Sequence, residues 1–145
     1  MPRFRLNGPF PTATLARVNV VSQGVDLIEN RRLGEVLKRH PDRFLDRVLT
    51  ETERAYVRRM RDPLPHIAGR FAAKEAVFKV LGTGWRGGIA WTDVEITNNS
   101  SGQPSVKLTG ECEQIARRRK IETILVSISH TRQYAAATAI GLGPA

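Results

Sequence analysis

His66-Ile-Ala-Gly-Arg-Phe-Ala-Ala-Lys-Glu-Ala-Val-Phe-Lys-Val-Leu-Gly-Thr-Gly-Trp-Arg-Gly-Gly88 joins a strong helix former to a glycine-rich exit, and its reading decides the fold. At 100° per residue, Ile67, Phe71, Phe78 and Leu81 fall on one narrow arc with Val77 at its edge, the core stripe of an amphipathic helix. Lys74 points into the middle of that stripe, where an ammonium must snorkel or meet an anion, because a dry unpaired charge is too costly to keep. Glu75 and Lys79 lie on its flank near Ala68 and Ala72, small residues that leave room for something to approach the helix. Three charged groups on one flank suggest a metal-and-phosphate site. A Glu with a Lys four residues on is also the common form of a solvated helix pair, so spacing alone leaves both readings open. Gly82 is placed to end the helix in the left-handed conformation. Four glycines within seven residues exceed what a cap needs and would offer backbone N–H groups to a phosphate, although the spacing is neither that of the P-loop nor of the dinucleotide fingerprint.

The 145 residues suit one domain with a real core. Lys and Arg number 23 against 14 Asp and Glu, a net charge of +9 that calls for an anionic partner: nucleic acid, a membrane surface, a phosphorylated small molecule or an acidic protein. One cysteine, Cys112, forms no internal disulfide and belongs to no zinc-spaced Cys/His set, which fits a reducing cytoplasm; it reads as a small buried residue. No run approaches the roughly 18 apolar residues of a membrane span, and the N-terminus lacks the apolar core of a signal peptide. Residues 1–17, with Arg3, Arg5, three prolines in the first sixteen positions and no acid, read as a loose basic extension before a domain over 18–145.

Val18 to Ile28 alternates as a strand with Val25 and Leu27 on one side and Gly24, Asp26 and Ile28 on the other. Asp26 therefore projects from a strand end, although an acid ahead of a helix also suits the dipole, and Glu29 suits that role better. In a helix from Asn30 to His40, Leu33, Val36 and Leu37 make the buried stripe, while Arg32 and Arg39 share another face as a basic ridge. Thr50 opens a capping box with Glu53, starting a helix that Asp62-Pro-Leu-Pro ends after Met60. Trp91–Thr97 and Ser105–Leu108 read as a hairpin, Glu111–Lys120 as a short helix with a basic end, and Ile121–Ser129 and Tyr134–Ile140 as strands joined near His130. Ser129 adjoins His130 in the chain and no nucleophile-elbow pattern exists, so a serine-hydrolase reading is set aside.

Six stretches in one order carry a resemblance: Gly24-Val-Asp-Leu-Ile-Glu with Arg32 following, Arg47-Val-Leu-Thr-Glu-Thr-Glu53, Arg70 through Gly84, Trp91-Thr-Asp-Val-Glu-Ile96, Gly102-Gln-Pro104 and Ser127-Ile-Ser-His-Thr131. From about Gln23 to Gly141 the chain resembles the holo-acyl-carrier-protein synthases, the small trimeric class of 4′-phosphopantetheinyl transferases. The resemblance implies an α+β fold, an antiparallel sheet packed against helices, assembled as a homotrimer with coenzyme A sites between subunits. It implies transfer of 4′-phosphopantetheine from coenzyme A to a serine of an acidic acyl carrier protein, releasing adenosine 3′,5′-bisphosphate, in fatty-acid or related biosynthesis.

By that resemblance Asp26 and Glu75 are the Mg²⁺ ligands, matching a cation that takes one or two carboxylates plus phosphate and water. Lys79, with Lys74, meets the diphosphate; the backbone of Gly82, Thr83 and Gly84 cradles phosphate; and Ser129, His130 and Thr131 bind the nucleotide end. Catalysis is implied to rest on Glu75, Lys79 and Asp26, with Glu75 acting through a metal-bound water as the first candidate for the serine proton and Asp26 the second. Arg32, with Arg39 by spacing, docks the acidic carrier. The chain departs from the pattern in its N-terminal extension and in Arg86-Gly-Gly88, which lengthens the exit loop. The alternative from composition is a small basic nucleic-acid-binding module. Against it, the chain has no aromatic-rich RNA-recognition motif, no zinc-finger spacing and no helix-turn-helix, so neither nucleic acid nor membrane is an expected partner.

Overall fold

A computed structural model describes residues 17–83 and 88–145. The expected extension therefore lies, except for Arg17, outside the described residues, as do Gly84 and Arg86 of the exit loop. The elements run β1 (Val18–Glu29), α1 (Asn30–Arg39), α2 (Pro41–Val48), α3 (Glu51–Arg58), α4 (Pro63–Leu81), a 3-10 turn (Trp91–Asp93), β2 (Val94–Asn98), β3 (Pro104–Leu108), α5 (Gly110–Arg118), β4 (Thr123–His130) and β5 (Tyr134–Pro144). This is the expected α+β arrangement. β1, β5 and β4 form one antiparallel sheet in that order, and β2–β3 form a separate hairpin. No helix among the described residues is long and apolar enough to cross a membrane.

α4 lies across the inner face of the three-stranded sheet, which is built small to receive it. Ala135, Ala137 and Ala139 of β5 are buried there. A Cβ on Gly24 of β1 would sit 2.2 Å from the Ala76 carbonyl oxygen, and one on Gly141 of β5 2.8 Å from Val80 Cγ1. Only glycine lets backbone and helix approach so closely. Here the amphipathic expectation is corrected. Ala68, Ala72, Ala73, Ala76 and Val80 are as fully buried as Ile67 and Val77, so α4 is enclosed on nearly every side. The room beside Ala68 and Ala72 is not left open for an outside partner. Around the far side of α4, Trp91 stacks on Phe71 with centroids 4.8 Å apart and meets Phe78 edge-on at 5.0 Å.

Local signals act as read at several ends. Thr50 and Glu53 form the capping box of α3, and Gly82 closes α4 in the left-handed region at φ 70°. Two elements differ. α2, with proline in its first turn, is too short to show a helical period, and it gains its hold by tertiary contact, Phe44 packing 5.7 Å from Phe71. Trp91–Asp93 turns before β2 begins, because Asp93 bonds back to the Ala90 N–H.

The outer face of the sheet is apolar and exposed. A bulge at Val21 shifts the register of β1, so that Val18 and Val20 face outward before it and Val25 and Leu27 after it. Leu125 of β4 is 52% exposed on the same side.

Candidate functional site

Asp26, Glu75 and Lys79 converge where β1 crosses α4. Gly24 permits the crossing, since its absent Cβ would also lie 2.9 Å from Lys79 Cβ, and Asp26 follows two residues on along the same inward face. Lys79 Nζ donates to the Val25 carbonyl at 2.6 Å and to Asp26 Oδ1 at 3.1 Å, while its side chain stays half-exposed. Asp26 Oδ2 is buried without a hydrogen-bond partner. Burial, and then the Asp26 charge, push the Glu75 carboxyl above its ordinary range, with Lys79 pulling it back. A carboxyl whose ionisation burial and Asp26 oppose, beside the bare buried oxygen of Asp26, fits a hard divalent cation. Among the described residues no three His, Cys, Asp or Glu gather.

Asp26 is an interior strand residue paired with Ala137, while Glu29 occupies the N-cap of α1, so the helix-entry reading falls to Glu29.

Lys74 does not join this group, and its expected diphosphate contact is corrected. Its Nζ is fully buried and donates to Val48 O at 2.6 Å, Glu53 Oε2 at 2.7 Å and Trp91 O at 3.2 Å, using all three protons. Burial lowers its pKa, and Glu53 opposes that. Glu53 meanwhile accepts from the Thr50 and Ile96 N–H groups, so the capping acid also anchors α4 and β2. The phosphate cradle is corrected in part as well. The Gly82 and Thr83 N–H groups donate to the Lys79 and Phe78 carbonyls, closing α4 rather than facing outward. Gly84 lies outside the described residues. Arg119 adds its guanidinium to the same helix end, 2.5 Å from the Val80 oxygen.

His130 stands at the exposed end of β4, and Thr131 Oγ1 accepts from the Gln133 and Tyr134 N–H groups to shape the turn. Ser129 is exposed beside them. His130 borders a pocket of about 230 Å³ with Tyr56, His66, Arg70 and Asn98. Arg70 lies 3.9 Å over the Tyr56 ring and donates to Asn98 Oδ1 at 2.9 Å, yet its Nε is buried without a partner. This 4%-exposed guanidinium forms no ion pair among the described residues, although Tyr56 and Glu53 favour its charge, and a buried cation so placed suits an anion. Sequence reasoning assigned no role to Arg70, Tyr56, His66 or Asn98; the signal available was Arg70 heading the central motif.

This pocket and the paired acids face apart within one chain. Glu75 follows Arg70 by five residues, about 140° around α4. A larger groove of about 1050 Å³ between α5, β3 and β4 holds none of the expected site residues.

On α1, Arg32 and Arg39 are exposed and form no ion pair among the described residues. Val36, expected in the buried stripe, is 45% exposed between them, because α1 buries only Asn30 and Leu33 fully. Arg32, Val36 and Arg39 thus form one mixed basic and apolar ridge. Asn30 ties its start to the His130 turn through the Thr131 and Arg132 carbonyls.

The family model of the 4′-phosphopantetheinyl transferase superfamily matches residues 22–139. A holo-[acyl-carrier-protein] synthase of Caldanaerobacter subterraneus subsp. tengcongensis is 47% identical over 120 residues, 83% of this chain and 93% of that protein. Among solved structures, a holo-ACP-synthase of Plasmodium yoelii superposes with a TM-score of 0.79 at 26% identity, over 89% of this chain and 99% of that one. The holo-(acyl-carrier-protein) synthase of Bacillus anthracis in complex with CoA (3′,5′-ADP) superposes with a TM-score of 0.71 at 31% identity, covering 86% and 97%.

Proposed function

The chain belongs to the holo-acyl-carrier-protein synthases of the 4′-phosphopantetheinyl transferase superfamily, and from that premise we propose that it modifies an acidic apo acyl carrier protein with 4′-phosphopantetheine from coenzyme A, in fatty-acid or related biosynthesis in the cytoplasm. The observation that carries the reading is the meeting of the bare Asp26 carboxylate oxygen, Glu75 and the half-exposed Lys79 ammonium.

Asp26 and Glu75 would hold Mg²⁺, which when bound would neutralise the diphosphate and fix its orientation. Lys79, with a proton not donated to Val25 or Asp26, directs charge at the diphosphate from the exposed side. The carrier serine Oγ forms a bond to the β-phosphorus as the bond from that phosphorus to the bridging oxygen breaks. Adenosine 3′,5′-bisphosphate leaves with the electron pair, and the serine proton passes to the Glu75 carboxylate. The His130 pocket, with Arg70, receives the nucleotide end. Arg32 and Arg39 dock the acidic carrier beside Val36.

Because pocket and acids face apart in one chain, each complete site takes them from two neighbouring copies. The apolar outer sheet face with Val18, Val20, Val25, Leu27 and Leu125 supports association between copies, since contiguous exposed apolar surface marks it, and the assembly proposed is a homotrimer.

The test is to incubate the protein with coenzyme A, Mg²⁺ and a panel of apo carrier proteins and to read carrier mass, alongside Glu75→Gln and a metal-free control. One phosphopantetheine gained on the serine, absent in both controls, is expected. No gain on any carrier and no coenzyme A binding would overturn the reading.

A further inference from the structure

The His130 pocket carries more chemistry than a nucleotide cradle requires. Its fixed charge is one guanidinium, Arg70, and no carboxylate lines it. Two imidazoles, His66 of α4 and His130 of β4, face each other there with ring centroids 6.1 Å apart. Tyr56 of α3 meets His66 edge-on at 5.8 Å. From the β2–β3 hairpin only Asn98, Gly102 and Pro104 reach the pocket, and none of them titrates. A phosphomonoester is a dianion near neutral pH, so one arginine leaves its charge half-matched. Within the pocket, the groups able to supply the second positive charge are its two imidazoles.

We propose that His66 is the specificity residue of this pocket: as a phosphomonoester dianion enters, the imidazole takes a proton from solvent and donates a hydrogen bond to a phosphate oxygen. The proposal rests on reading the pocket as the site of the nucleotide end, where coenzyme A carries its 3′-phosphate. His66 suits the role because its surroundings keep it uncharged beforehand. Burial, then Arg70 and His130, hold its pKa below the ordinary 6.5, and only Asp62 pulls the other way. A dianion placed among these groups reverses the balance. A ligand without the phosphomonoester recruits no such proton. Preference for the phosphorylated ligand therefore rises as the pH falls toward neutrality, until the phosphate itself protonates at about pH 6.

Calorimetric titration of the whole protein with coenzyme A and with 3′-dephospho-coenzyme A tests this, at pH 7 with Mg²⁺ in two buffers of different ionisation heat, so that protons taken up are counted. Coenzyme A is expected to bind with greater proton uptake than the dephospho form. His66→Phe, which keeps a ring beside Tyr56, removes that excess and lowers the preference about tenfold, as loss of a hydrogen bond to a charged group does. Circular dichroism and Tm, compared with the wild type, show that the variant is folded. His66→Gln, a neutral donor, retains part of the preference but none of the excess uptake. Unchanged uptake and preference in His66→Phe overturn the proposal. If Arg70→Met and His130→Ala weaken coenzyme A binding while His66→Phe does not, only the role of His66 fails; if none of the three matters, the nucleotide reading of the pocket fails with it.

Discussion

Replacing Lys74 by Met separates a structural cation from a phosphate ligand. The side chain is fully buried, and the substitution nearly conserves its volume while deleting three hydrogen bonds, to Val48, Glu53 and Trp91. It strands Glu53, 1% exposed, as a buried carboxylate with two backbone N–H donors left, from Thr50 and Ile96. Breaking a buried pair from one side costs about 3–5 kcal/mol, and the two surviving donors place this case toward the lower end. At roughly 3 °C per kcal/mol for a chain of this size, Tm falls by about 10 °C, measured at fixed protein concentration because an assembly melts by mass action. Lys74→Met/Glu53→Gln recovers part of that loss, since no bare charge remains. Coenzyme A affinity of the folded single variant stays close to wild type. A variant that melts within about 2 °C of wild type but binds coenzyme A tenfold more weakly would refute the reasoning and restore Lys74 to the diphosphate.

Adding Mg²⁺ is expected to raise Tm of the wild type and to leave Asp26→Asn and Glu75→Gln unmoved; a full shift in either variant removes that residue from the metal site. Without metal, Glu75→Gln melts above the wild type at neutral pH, because it removes a carboxylate whose charged form burial and Asp26 disfavour. Arg32→Glu raises KM for the carrier about tenfold with little change in kcat and flattens its salt dependence, Arg39→Glu less so; an unchanged KM at low salt would discard the α1 ridge as a docking face. Cys112 is fully buried and its thiol is pushed up to about 12, by burial first and then by Asp93 and Glu111. The folded chain thus keeps a proton that the unfolded chain loses above about pH 9, so this contribution to stability declines as the pH rises through that range. At pH 8 a disulfide reagent should leave the native thiol untouched and titrate it once urea unfolds the chain; rapid native labelling would contradict the burial.

The candidate site was legible to the extent that its residue types follow one another in local patterns. Asp26 is visible from strand alternation after Gly24, and Glu75 and Lys79 from helical spacing; the structure brings the three together. Lys74 was misread because its partner, Glu53, stands 21 residues earlier, and nothing in the spacing of α4 reveals which oxygens will close around an ammonium. Arg70, His66, Tyr56 and Asn98 went unassigned for the same reason. They come from α3, α4 and β2, and only their meeting makes a pocket.

Local chemistry by itself determined the helix boundaries at Thr50 and Gly82, the alternating strands, the hairpin turn and the basic face of α1, because capping, periodicity and turn geometry act over a few residues. Tertiary structure alone decided that α4 is buried all round, that Lys74 is a core cation, that the Gly82 and Thr83 amides are spent on the helix end, and that pocket and acids face apart. Those outcomes depend on which surfaces pack together, and burial sets the energy of a charge or an amide more strongly than its place in the chain does.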